Sequence, residues 1–100
     1  MRRAAVGLLL ALASFAPASA QAPLLTAQAC LGCHGPGAIG QTPIAGLAGR
    51  PAADLVAAMT EFRANQRPGT IMGRIARGYT DAEIAALAAH FAALPPGGAR

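Results

Sequence analysis

The sequence predicts an all-α fold of three main helices plus a short one. Three observations carry that expectation. Apolar residues recur at helical spacing in separate stretches, a capping box opens the last of them, and no stretch alternates apolar and polar residues as a half-buried strand does.

The first twenty residues form a separate unit. Arg2 and Arg3 precede an apolar run from Ala4 to Ala16, and Pro17 and Ala18-Ser19-Ala20 follow it. A positive start, a short apolar core and a small-residue exit are the parts of a secretory signal peptide. The run is too short for a spanning helix of about 20 residues. Residues 1–20 are therefore expected to be removed on export to the periplasm, leaving one domain over residues 21–100 with no membrane span.

The mature chain explains its own charge. All eight basic residues of the full sequence are arginines, and six of them (Arg50, Arg63, Arg67, Arg74, Arg77 and Arg100) lie beyond residue 20. Asp54, Glu61, Asp81 and Glu83 oppose them, and the two signs are interspersed. No basic stripe with interleaved aromatics exists, which excludes nucleic-acid binding. Eighty residues also bury a marginal core, and Phe62, Tyr79 and Phe91 are the aromatics left to fill it. Something other than side chains is expected to complete that core.

The first helix is expected from about Pro23 to Cys33, on Leu24, Leu25, Ala27, Gln28 and Ala29. Gly35, Pro36, Gly37, Gly40, Pro43, Gly46 and Gly49 then predict an irregular loop. The second helix starts near Pro51, a residue favoured at the first helical position. It carries Leu55, Met59, Phe62 and Gln66 on one face and stops before Pro68-Gly69. A short helical piece is expected from Met72 to Arg77, ended by Gly78. The last helix has Thr80 as N-cap and Glu83 three residues on, then Ile84, Leu87, Ala88, Phe91 and Leu94 at helical spacing, with Pro95 and Pro96 ending it. The tail, Gly97-Gly98-Ala99-Arg100, is expected to fray.

Cys30-Leu31-Gly32-Cys33-His34 is C-x-x-C-H, the pattern of covalent haem attachment. Each thiol adds to one vinyl group, and the two-residue spacer lets both sulfurs work from one helical turn. His34 follows as the proximal iron ligand. A disulfide would not require the histidine, and a thioredoxin-like pair needs strands that are missing here. A structural zinc site would consume Cys30, Cys33, His34 and the distant His90. Gly35-Pro36-Gly37-Ala38-Ile39-Gly40 matches G-x-G-x-x-G, but it follows a helix and contains proline, so the dinucleotide reading is rejected.

The opposite axial ligand has three candidates: Met59, Met72 and His90. Met59 lies on the apolar face of the second helix and reads best as core filler or a wall of the haem site. His90 reads best as a partly exposed histidine. Met72 stands beside a loop, after Pro68-Gly69 and before Gly73, where a thioether can meet iron without a helix crowding it; it is preferred. Soft sulfur there stabilises the ferrous state. A ligating imidazole gives its other N–H to an acceptor. The Pro43 carbonyl is one candidate, and loop stiffening is the equal alternative for that residue.

On these residues the chain resembles the class I c-type cytochromes. The resemblance spans the mature chain: the early Cys30–His34 motif, the Pro43–Gly49 loop, Met72 and the amphipathic last helix. It implies crossed first and last helices, a haem crevice with His34 and Met72 as axial ligands, and one exposed haem edge. Thr70 to Tyr79 further resembles the methionine-ligand segment of cytochrome subunits of flavocytochrome c sulfide dehydrogenase, as do Glu61-Phe62-Arg63 and Gln66-Arg67-Pro68. That closer likeness implies a flavoprotein partner that oxidises sulfide. Some such subunits carry two haem domains, whereas one C-x-x-C-H holds one haem c per chain. Short free electron carriers share part of the same pattern. Arg50 and Tyr79 are candidates for propionate contacts, with a solvated arginine and a packed tyrosine as the slightly favoured alternatives.

The expectation for function is an exported one-electron carrier that is not an enzyme by itself. A periplasmic shuttle between respiratory complexes is the alternative, and a haem-based ligand sensor is a more distant one.

Overall fold

A computed structural model describes residues 22–97, with side chains from Leu25 onward. Residues 1–20, assigned to the signal peptide, and the last three residues of the tail lie outside the described part. The order is α1 (Ala22–His34), a 3-10 turn (Pro36–Ala38), α2 (Ala52–Arg63), α3 (Met72–Ala76) and α4 (Asp81–Ala92). No strand occurs among the described residues; one isolated antiparallel bridge joins Gln41 and Ile44. No helix among them is long and apolar enough to cross a membrane.

Each helix boundary has a local cause. Helix α1 extends one residue beyond the expected end and finishes on His34. Gly35 N–H then donates to the Leu31 carbonyl, Gly40 N–H to the His34 carbonyl, and the Gln41 side-chain amide to the Cys33 carbonyl. These bonds satisfy carbonyls that a helix end leaves without partners. Pro51 proves to be the N-cap of α2 rather than its first helical residue, with its carbonyl accepting from Asp54 and Leu55 N–H.

Helix α2 stops earlier than Pro68 required. Asn65 adopts a left-handed φ of 58°, its N–H donates to the Phe62 carbonyl, and Gln66 N–H donates to the Glu61 carbonyl. This is a Schellman ending with asparagine in the place glycine usually takes. Helix α4 begins as expected. Glu83 N–H donates to Thr80 Oγ1 at 3.2 Å, and Thr80 N–H donates to Glu83 Oε1 at 3.0 Å. The Thr80 bonds hold the Glu83 carboxyl below its usual pKa.

The glycine-rich stretch contains one regular feature that was not expected, the 3-10 turn at Pro36–Ala38. Gly37 inside it has φ 64°, so the turn cannot extend. Beyond it the loop doubles back. Gly40 has φ +86°, and a Cβ there would stand 2.6 Å from the Gly46 nitrogen. Only glycine allows two backbones this close.

Helix α4 packs against both α1 and α2, and α3 packs on α2. Gly49 N–H donates to the Phe91 carbonyl, which ties the first loop to the end of α4. Arg63 donates to the Tyr79 carbonyl and pairs with Asp81, so the end of α2 is clasped to the start of α4. The buried apolar set is thin. Among the described residues it numbers ten, and six are alanines; the large members are Leu55, Ile84, Leu87 and Phe91. The remaining interior volume is open space.

Candidate functional site

That space consists of two adjoining hollows. An inner hollow of about 490 Å³, itself partly open to solvent, lies against Leu87, Ala88 and Phe91 of α4. An outer cleft of about 1230 Å³, partly open to solvent, extends towards Ile44, Arg50, Phe62 and Arg67. Seven residues line both: Cys30, His34, Leu47, Leu55, Met59, Met72 and Ile75. Neither hollow has a carboxylate in its lining.

Helix α1 supplies the cysteines and the histidine. Cys30 and Cys33 stand three residues apart, hence as neighbours along one helical face. Cys30 is half-buried, and burial pushes its thiol pKa up; Cys33 is exposed at the cleft. His34 closes the helix, and its Nδ1 lies 2.6 Å from the Ala45 carbonyl oxygen. A carbonyl can only accept, so Nδ1 carries the proton and Nε2 keeps its lone pair for a metal.

The acceptor is therefore Ala45, not Pro43. The reciprocal bonds between Gln41 and Ile44 turn the chain through Thr42 and Pro43. The carbonyl brought to the imidazole is the one just past that turn. Pro43 remains at the cleft as an exposed lining residue.

Of the three sulfur or imidazole candidates, two meet at the cavities. Met59 from α2 and Met72, the first residue of α3, are both half-buried and line both hollows. His90 lines neither. Its ring stands edge-on to Phe91 at 5.2 Å between centroids. No cluster of three or more His, Cys, Asp or Glu residues able to hold a metal ion occurs among the described residues, which leaves the zinc reading without support.

Arg50 is half-buried in the cleft lining, and Tyr79 lines the inner cavity. Burial, with Cys30 and Glu83 nearby, raises the Tyr79 pKa. Sequence reasoning missed Ala45 and Leu47; Phe62 and Arg67, singled out only for the apolar face and the family likeness, line the outer cleft. The Arg67 guanidinium carbon stands 5.6 Å from the Phe62 ring centroid, and its Nε donates to Glu61 Oε2 at 2.9 Å. Ile75 was legible in principle, since it lies one turn beyond Met72.

The donor set fits a haem. Two thiols sit one turn apart, an oriented imidazole follows them, and thioethers stand in the same apolar hollow. The alanine-rich interior leaves room for a group of that bulk.

Comparison with known proteins agrees with this chemistry. A family model described as Cytochrome c matches residues 19–95. A cytochrome subunit of sulfide dehydrogenase from Chlorobaculum tepidum is 36% identical over 62 residues, covering 62% of this chain and 56% of that protein. A thiosulfate dehydrogenase electron acceptor from Thiomonas intermedia is 38% identical over 102 aligned residues, covering 98% of this chain and 46% of that protein. The chain spans about half the length of these curated relatives.

Proposed function

The chain belongs to the cytochrome c family, and on that premise we propose that it is an exported carrier of one electron at a time, holding a single covalently bound haem c. Cys30 and Cys33 provide the thioether sulfurs, His34 Nε2 the proximal ligand and Met72 Sδ the distal one. When bound, the group supplies a one-electron couple at its iron.

The protein's own residues set the conditions for that couple. The Ala45 carbonyl fixes the His34 ring and strengthens the imidazole as a donor. Met72 contributes a soft, neutral sulfur that favours the reduced state and raises the potential. Leu47, Leu55, Leu87 and Phe91 give the inner hollow an apolar lining. With His34 and Met72 both holding the iron, the chain would leave no position for a substrate, as befits a cytochrome c that is not an enzyme by itself.

The observation that carries this reading is the hydrogen bond from His34 Nδ1 to Ala45, made beside a cavity that Met72 also lines. The sulfide dehydrogenase subunit among the relatives supports a flavoprotein as electron donor. The thiosulfate dehydrogenase acceptor supports a second role as a free shuttle. A visible spectrum of the tagged protein, purified gently from the periplasm of its native host, separates the two. Haem with flavin bands, the flavin bleaching and the haem reducing on sulfide addition, is expected for the subunit. Haem bands alone favour the shuttle. A protein without covalent haem on a stained denaturing gel overturns both.

A further inference from the structure

Two thioethers, not one, share the walls that His34 lines. Met59 and Met72 each border both hollows. The backbone explains how they come together. Gly73, next to Met72, stands where a Cβ would lie 3.5 Å from the Phe62 carbonyl oxygen. A Cβ on Gly69 would lie 2.8 Å from Phe62 Cε1. The segment carrying Met72 thus runs across Phe62. That residue is three places beyond Met59 on α2, about 4.5 Å along the helix axis and on the same side.

The two methionines differ in how they are held. Met59 lies within a 12-residue helix, next to buried Ala58 and one turn beyond buried Leu55. Met72 opens a five-residue helix that follows eight exposed residues, Ala64 to Ile71. Exposed stretches with few contacts are the parts of a fold that open first. The Met72 side is therefore the one that withdraws, and the Met59 side stays. A methionine side chain has three rotatable bonds and a soft sulfur, so Met59 can turn towards a metal without moving its helix.

We propose that Met59 is a second iron-ligating thioether, which takes the axial place of Met72 when the Met72 segment swings away. The proposal rests on the reading of Met72 as the resident ligand. In the exchange the bond from Met72 Sδ breaks and a lone pair on Met59 Sδ forms the new one. No electron or proton moves, and both sulfurs remain neutral thioethers. The site stays closed to outside ligands during such excursions.

The test compares holoproteins carrying Met59→Leu, Met72→Ala and both changes. Two readouts are used: the far-red sulfur-to-iron absorption of the oxidised protein, and the bound thioether methyl resonance of the reduced protein grown on methyl-labelled methionine. Met59→Leu is expected to keep both signals, from Met72. Met72→Ala is expected to keep both, now from Met59, the one methionine left beyond residue 20. The double variant is expected to lose both. Loss of both signals in Met72→Ala overturns the proposal and leaves the Met72 assignment standing. Loss in Met59→Leu with retention in Met72→Ala overturns the assignment itself, since Met59 would then be the resident ligand. Met72→Leu serves the same comparison if Met72→Ala fails to accumulate.

Discussion

Replacing Gly40 with alanine measures how tightly the first loop is drawn beneath the site. Gly40 has φ +86°, and a Cβ there would lie 2.6 Å from the Gly46 nitrogen and 3.0 Å from the Ala45 carbonyl carbon. Gly37 is the natural control. Its φ of +64° is also left-handed, but a Cβ there meets only the Ile39 Cγ2 methyl at 3.8 Å. The left-handed conformation costs an L-residue about 1–2 kcal/mol, and both variants incur it. Only Gly40→Ala also forces two backbones apart, which adds about 1–3 kcal/mol, the usual range for overpacking. Gly37→Ala is thus expected to lose about 1–2 kcal/mol, and Gly40→Ala about 2–5 kcal/mol. Guanidinium unfolding of the two holoproteins, followed by far-ultraviolet circular dichroism, reads the difference. Equal losses would refute the reasoning, because they would mean that the loop yields freely where the structure shows backbone against backbone.

Three further expectations follow from the same structure. A Cys30→Ala/Cys33→Ala chain, produced without covalent haem, is expected to be largely unfolded; a cooperative thermal transition in its circular dichroism would contradict the thin-core account. Thr80→Ala is expected to cost about 1 kcal/mol at neutral pH through loss of the capping box. The folded-state pKa of Glu83 is lowered, so its contribution is present above its unfolded pKa and lost as pH falls through the folded one. The Thr80→Ala deficit should therefore shrink in acid, and parallel unfolding curves at neutral and acidic pH check this. Reduced holoprotein is expected to bind carbon monoxide slowly or not at all at neutral pH. Rapid binding in a flash-photolysis or mixing experiment would move the protein towards the sensor reading.

Local chemistry was the legible part. The start of α4 could be read because Thr80 and Glu83 complete each other within one turn, and C-x-x-C-H could be read because its spacing is its chemistry. The end of α2 was misread because asparagine is a weaker stop signal than proline. Asn65 ended the helix three residues before Pro68, in the left-handed place that glycine usually takes. The histidine's acceptor is Ala45 rather than the candidate Pro43, because it depends on the Gln41–Ile44 bridge, a tertiary feature with no signature in the residues concerned. Sequence pattern preferred Met72 as ligand and Met59 as wall from their loop and helix settings; both prove to be half-buried sulfurs beside the same hollows. His90, read from sequence as a partly exposed histidine, stands edge-on to Phe91 and lines neither hollow.

The clasp between Arg63, the Tyr79 carbonyl and Asp81 bears on more than helix packing. Asp81 is 87% exposed at its side chain, and an exposed ion pair adds little to the stability of a whole domain. Its position gives it a different kind of leverage. It joins the two ends of the 17-residue segment from Ala64 to Thr80, which carries Met72 near its middle. With both ends held, the thioether searches a small volume. Its local concentration is then set by the closed loop rather than by a chain tethered at one side. Because α2 and α4 also pack on each other, the ends stay close when salt weakens the exposed pair, and the closed loop keeps the sulfur at the cavity across ionic strengths.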